Sequence, residues 1–257
     1  MPTPSPTRAG SWSTSPRTAG RTSSTSAPAA TRCVSDGRGR TRPPDGRRRW
    51  RRGDARTALA RAFAEAGDAV ALLARSTDHV ETLAADLRGD GADAVAVTAD
   101  VTDPGSVAEA FDAVRAAFGS VDVLVHNPSA PAGGSVDDCD PAAFERPWRV
   151  RAYGGYLCAR EALAAGGEPT VLFSGTAYGV EATGAMPDWS SAAFATRGLA
   201  ASLDDGTAAD ATYVAIGANV APPGGYVTEN RVAAEEVAAR FVGFADDPPE
   251  TVTVRVP

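Results

Sequence analysis

The sequence predicts a doubly wound α/β fold built on a parallel β-sheet. Two observations carry this. Short apolar or β-branched runs recur through residues 57–257, and helical stretches separate them. The runs are nearly continuous in their apolar character, so they read as strands covered on both faces. Strands alternating with helices pair in parallel through right-handed crossovers.

The elements follow in order. AVALLA (69–74), AVAVTAD (94–100), VDVLVHN (121–127), TVLFSG (170–175), TYVAIG (212–217) and TVTVRV (251–256) read as strands. A helix over 57–66 ends at Gly67, a residue suited to a left-handed helix end. A second helix covers 78–88 and ends at Gly89. A third covers 104–118, with Asp103 as its N-cap, Pro104 in its first turn and Gly119 at its end. A long helix over 141–163 carries a possible break at Gly154-Gly155, and helices over 190–203 and 233–245 complete the alternation.

Residues 1–56 differ from the rest. They are rich in Ser, Thr, Pro and Arg, with 13 arginines against 3 aspartates. Such a segment buries too little apolar area to order itself, so it is expected to be disordered. It reads as a transit peptide, as a basic tail for an acidic surface, or as a stretch translated out of frame. The fold needs a central first strand and then a glycine-rich turn. Residues 45–56, DGRRRWRRGDAR, cannot fill a strand slot buried on both faces, because unpaired arginines there are costly. The expected fold therefore lacks its first strand and its glycine turn. If the arginines use codons of the CGN type, a shift of one base turns this stretch into Val, Ala, Gly, Asp and Glu. That alphabet can spell such a strand and turn, and it favours the out-of-frame reading.

Residues 57–257 hold 12 arginines against 29 acids, and the chain has no lysine. That negative field argues against nucleic acid as a partner. No apolar run is long enough to span a bilayer, so a cytoplasmic location is expected. Cys33, Cys139 and Cys158 lack metal-like spacing, and there are only two histidines, His79 and His126. No metal site is expected.

The order of motifs in residues 57–257 resembles the short-chain dehydrogenase/reductase family. TALARAFAEAGDAVALLAR, TADVTD, DVLVHNPSA, AAFERPWRVRAYGGYLCAREAL, PTVLFSG and DWSSAAFATRGLAASL carry the likeness, which covers about four-fifths of the chain. It implies a Rossmann-type fold, a nicotinamide nucleotide, a small carbonyl or alcohol substrate, and a possible homo-oligomer. Arg75 closes the second strand of that pattern, where an Arg suits the 2′-phosphate of NADP. Asp100 and Val101 match the adenine-contacting pair, and Asn127 matches the turn after the fourth strand. Each also fits a plainer role: a solvated arginine, a turn aspartate, a turn asparagine. Pro223-Gly224 fits a turn near the nicotinamide.

The family's catalytic pattern falls on unusual residues. Its tyrosine position is Trp189 and its lysine position is Ala193. Its serine position is Thr176, thirteen residues before Trp189, and its asparagine position is Arg151. An indole N–H donates a hydrogen bond but is no usable acid or base. Only Thr176 keeps a group that could orient a carbonyl. Tyr178, Tyr153 and Asp188 are rival proton donors. The resemblance therefore implies an NADP-dependent oxidoreductase with impaired catalysis and weak or absent nucleotide binding. The alternatives are a non-catalytic binding or partner subunit and a decayed or frameshifted gene product.

Overall fold

The computed structural model describes residues 31–36, 54–164, 166–221 and 231–256. Its elements are β1 (Thr31–Asp36), α1 (Asp54–Glu65), β2 (Ala69–Ala74), α2 (Thr77–Gly89), β3 (Ala94–Thr98), α3 (Pro104–Phe118) and β4 (Val123–His126). Then come α4 (Pro141–Trp148), a π turn (Arg149–Tyr153), α5 (Gly154–Ala164), β5 (Thr170–Thr176) and a 3₁₀ turn (Ala177–Gly179). The order ends with α6 (Pro187–Gly206), β6 (Asp210–Ile216), β7 (Asn219–Ala221), β8 (Arg231–Ala233), α7 (Ala234–Asp246) and β9 (Thr253–Val256). Seven strands form one parallel sheet in the order β3-β2-β1-β4-β5-β6-β9, and β7 and β8 pair separately.

The expectation of a vacant first-strand position is corrected. Thr31–Asp36 lies between β2 and β4 and pairs in parallel with both. Val34 is in register with Leu72 on one side and Val125 on the other. TRCVSD contains no proline, so each residue has an N–H to give to a neighbouring strand. The strand lies well upstream of residues 45–56, the stretch just before Thr57 where such a strand is expected. Residues 1–30 and 37–53 lie outside the described residues, and the expectations of a missing glycine turn and of disorder concern those residues.

Alternation along the strands divides the core in two. Val70 and Leu72 of β2, Val123 and Val125 of β4, Leu172 and Val214 pack with Leu59, Phe63, Leu87 and Phe241. Ala71, Leu73, Leu124, Val171, Phe173 and Tyr213 point the other way, onto Phe111, Leu157 and Leu203. Successive side chains on a strand face opposite sides, so a parallel sheet needs helices on both. The helix ends follow the sequence. Asp103 accepts from Ser106 N at 2.7 Å at the start of α3, and Gly67 takes φ 94° after α1. Asp140 caps α4 by accepting from Ala142 N and Ala143 N.

The long central helix does not break at Gly154-Gly155. It widens into the π turn just after Pro147, which removes one N–H from the helical ladder. The two glycines serve close approach instead. A Cβ on Gly154 would stand 2.9 Å from the carbonyl oxygen of Val101, and one on Gly155 would stand 2.8 Å from the Phe173 ring. The helix is thereby pressed onto the strand ends where a doubly wound sheet holds its ligand.

Val34→Pro should test the first strand. The substitution removes a backbone donor in the sheet centre, and urea unfolding should show a loss of roughly 3 kcal/mol or more. A protease-resistant, folded fragment beginning near Thr57 would contradict the central placement of β1.

Candidate functional site

The predicted nucleotide residues lie at one rim of the sheet. Arg75 directly follows β2 and is exposed. Asp100 and Val101 follow β3. The Asp100 carboxylate accepts from Thr102 N at 2.9 Å and from Thr102 Oγ1 at 2.8 Å, while its own N–H donates to Ser106 Oγ at 3.0 Å. Asp100 thus shapes its own turn. Val101 is buried under Gly154. Asn127 follows β4 and is half-buried. Pro223-Gly224 lies outside the described residues.

A second group of residues meets at the ends of β5 and β6. Thr176 closes β5. Its N–H donates to the Tyr213 hydroxyl at 3.0 Å, and that hydroxyl donates to the Thr176 carbonyl at 2.8 Å. The Thr176 Oγ1 is buried and has no hydrogen-bond partner among the described residues. The Tyr213 ring occupies the space a side chain would take at Gly175 or at Gly179. Burial raises the pKa of the Tyr213 phenol. Tyr213 lies within the run TYVAIG, where its sequence context marks it as one more strand residue. The signal that could have found it is the pair of glycines on either side of Thr176, Gly175 on β5 and Gly179 in the 3₁₀ turn.

The start of α6 closes the corner. The Trp189 indole Nε1–H donates to the Ala130 carbonyl at 2.9 Å. The Arg151 guanidinium stands 4.9 Å from the centre of the Trp189 ring, and its Nη2 donates to Ser129 Oγ at 3.1 Å. Asp188 is wholly buried and accepts from Gly133 N at 2.7 Å. Two consecutive residues therefore pin the loop after β4. Ala193, one turn beyond Trp189, has no exposure and belongs to the core that contains Tyr213. Of the rival proton donors, Tyr153 stacks between Trp148 and Tyr156, and Tyr178 sits half-buried in the 3₁₀ turn. His126 faces the Val150 carbonyl across 3.2 Å, so its Nε2 carries the proton. Burial lowers its pKa to about 4, and the Arg151 charge adds to this.

The short chain dehydrogenase family model matches residues 56–238. The chain belongs to the short-chain dehydrogenase family. Among relatives, versicolorin reductase of Emericella nidulans is 33% identical over 124 residues, 47% of each chain. Cis-4-hydroxycyclohexanecarboxylate dehydrogenase of Sinomonas cyclohexanicum is 39% identical over 111 residues, 41% of this chain and 43% of that one. The chain spans about half the length of the first of these relatives, 47%, and less of the second. A gluconate 5-dehydrogenase from Burkholderia cenocepacia, solved with NADP and tartrate, superposes with a TM-score of 0.72 at 20% identity, covering 88% of this chain and 93% of that one. The NADPH-dependent 3-quinuclidinone reductase of Rhodotorula rubra gives 0.72 at 20%, covering 88% and 89%. At that identity the likeness shows the fold.

In this member of the family, the residues at the four positions implied by the resemblance lie in the π turn (Arg151), at the end of β5 (Thr176) and in the first two turns of α6 (Trp189 and Ala193). Arg151 stacks on Trp189, Ala193 stands one turn along α6, and Thr176 ends β5. The arrangement supplies a cation, an indole, a hydroxyl and a buried phenol. Among the described residues no cluster of three or more His, Cys, Asp or Glu could hold a metal ion. No helix among them is long and apolar enough to cross a membrane.

Tyr213→Phe should be costly. It leaves the N–H and the carbonyl of Thr176 without their shared hydroxyl, and a buried unsatisfied group costs about 1–3 kcal/mol. Thermal or urea unfolding reads the loss. An unchanged midpoint would show that the hydroxyl does not hold this corner.

Proposed function

We propose that this chain binds a nicotinamide nucleotide weakly, NADP in preference to NAD, and that its exchange of hydride with a small carbonyl or alcohol is impaired. The bond from Trp189 Nε1 to the Ala130 carbonyl carries this reading. At the position where the family's proton-transferring tyrosine is implied, the polar atom is a non-ionising donor already engaged by the backbone.

The residues fit the nucleotide at one end and not at the other. On the adenosine side, Arg75 stands at the end of β2, exposed, and a guanidinium suits a 2′-phosphate. Asp100 and Val101 stand at the end of β3 beside it. On the nicotinamide side, Ala193 offers no cation to a ribose, and it is sealed in the core. Hydride exchange is what the nucleotide would supply. Proton transfer to the resulting alkoxide, worth roughly 10²–10⁴-fold in rate, has no donor at the implied position.

A second reading, a non-catalytic binding or partner subunit, has its own support. Tyr213 packs into room left by two glycines and satisfies both backbone groups of Thr176. Such mutual fit argues for a corner built around a new occupant and against an eroded one. The in-register pairing of Thr31–Asp36 on both edges likewise weighs against an out-of-frame origin for those residues.

The test is Trp189→Tyr combined with Ala193→Lys, assayed with NADPH and a panel of small ketones and aldehydes. The pair should raise kcat/KM by roughly 10²-fold or more, and either change alone far less, because the two act as a unit. A folded double variant with no gain would contradict the roles assigned to these positions.

A further inference from the structure

We infer that His126 is a positioning residue: its imidazole N–H holds the π turn open at Val150 and thereby sets the Arg151 guanidinium on the face of Trp189. The inference rests on the reading that Arg151 and Trp189 stand at the family's asparagine and tyrosine positions. It adds what fixes those two side chains relative to each other.

An α-helix bonds each N–H to the carbonyl four residues back. In the π turn the Gly154 N–H goes instead to the carbonyls of Arg149 and Arg151. The carbonyl between them, that of Val150, is met by His126 Nε2 at 3.2 Å. A side chain inserted into the helical ladder is one of the few causes of such a distortion. The ring is built into its place. His126 ends β4 and is buried. Phe173 on β5 meets it edge to face, with ring centroids 5.9 Å apart. Gly155 leaves it room, since a Cβ there would stand 3.3 Å from His126 Cδ2. Burial, with the Arg151 charge adding to it, holds its pKa at about 4, so near neutral pH the ring carries one N–H.

The stretch that His126 begins also fixes the two side chains. Ser129 Oγ accepts from Arg151 Nη2 at 3.1 Å, and the Ala130 carbonyl accepts from Trp189 Nε1 at 2.9 Å. One segment therefore holds the backbone of the π turn, the guanidinium and the indole, and the guanidinium comes to rest 4.9 Å from the centre of the ring. Without the imidazole N–H the Val150 carbonyl loses that donor. The Gly154 N–H then returns to it, the π turn closes, and Arg151 turns about the helix axis away from the indole face.

Fluorine NMR of the full chain carrying fluorinated tryptophan tests this. The chain has four tryptophans, and Trp189→Phe identifies the Trp189 signal. His126→Phe removes the donor, keeps an aromatic ring, and should shift that signal. His126→Gln, whose amide N–H can reach the same carbonyl, should leave the signal near its original place. An unmoved signal in folded His126→Phe, or a shift as large in His126→Gln, would overturn the inference. Proton–nitrogen correlation spectra of the unaltered chain carry the test if His126→Phe does not fold. Of the two histidines, His126 should be the one held as the Nε2–H tautomer. The Nδ1–H tautomer at His126 would equally overturn the inference. These readouts need neither nucleotide nor turnover. Their failure leaves the impaired-catalysis reading standing, and rapid hydride transfer by the unaltered chain sinks that reading alone.

Discussion

The indole N–H of Trp189 donates to the carbonyl of Ala130 across 2.9 Å, and the corner beyond β4 and β5 is organised around that contact. It fixes the ring in a position where its face meets the Arg151 guanidinium. With Asp188 bound to Gly133 N, it ties the first turn of α6 to the loop that leaves the sheet. Arg151 in turn reaches Ser129 on the same loop. A tyrosine in place of the tryptophan would offer an ionisable hydroxyl. The indole offers a surface and a fixed donor, so the same backbone geometry acquires a different chemistry.

Close packing behind the corner follows from small residues at the points of contact. Gly154 and Gly155 let the central helix rest on Val101 and Phe173. Gly175 and Gly179 make room for the Tyr213 ring, whose hydroxyl then serves both backbone groups of Thr176. Close-packed interiors tolerate few voids, so a large side chain entering at one position needs small ones beside it. The fully buried Ala193 belongs to that same core. Lysine there would bring a charge into an apolar interior, at a cost that depends on a partner being supplied.

Most of the fold was legible in the sequence because buried parallel strands are apolar without interruption. Ala69–Ala74 matches its predicted bounds, and the helix Pro104–Phe118 was readable from its aspartate, proline and glycine. β1 was not legible. Its Thr-Arg-Cys-Val-Ser-Asp run lacks the apolar signature, and it lies well before the helix it precedes. The π turn escaped notice because the hydrophobic pattern of a helix does not report one extra residue in a turn. The short β7–β8 pair, three residues each, gives too little periodicity to read. At the site, Trp189, Ala193, Thr176 and Arg151 are assigned to the family's positions by resemblance alone. Their partners could not be read from the sequence: the Ala130 carbonyl and the Tyr213 hydroxyl are far from them in the chain, and only folding brings them together.

The most direct measurement is a single-turnover experiment on the unaltered chain. The protein, in excess, is mixed with NADPH carrying deuterium on the transferring carbon and with a set of small carbonyl compounds, and the products are examined by mass spectrometry for the label. The account predicts that nucleotide binds and that label transfer is slower by at least about 10²-fold than in Trp189→Tyr/Ala193→Lys, in line with a missing general acid. Label transfer by the unaltered chain as fast as by that double variant would contradict it, and would show that a residue other than Trp189 delivers the proton.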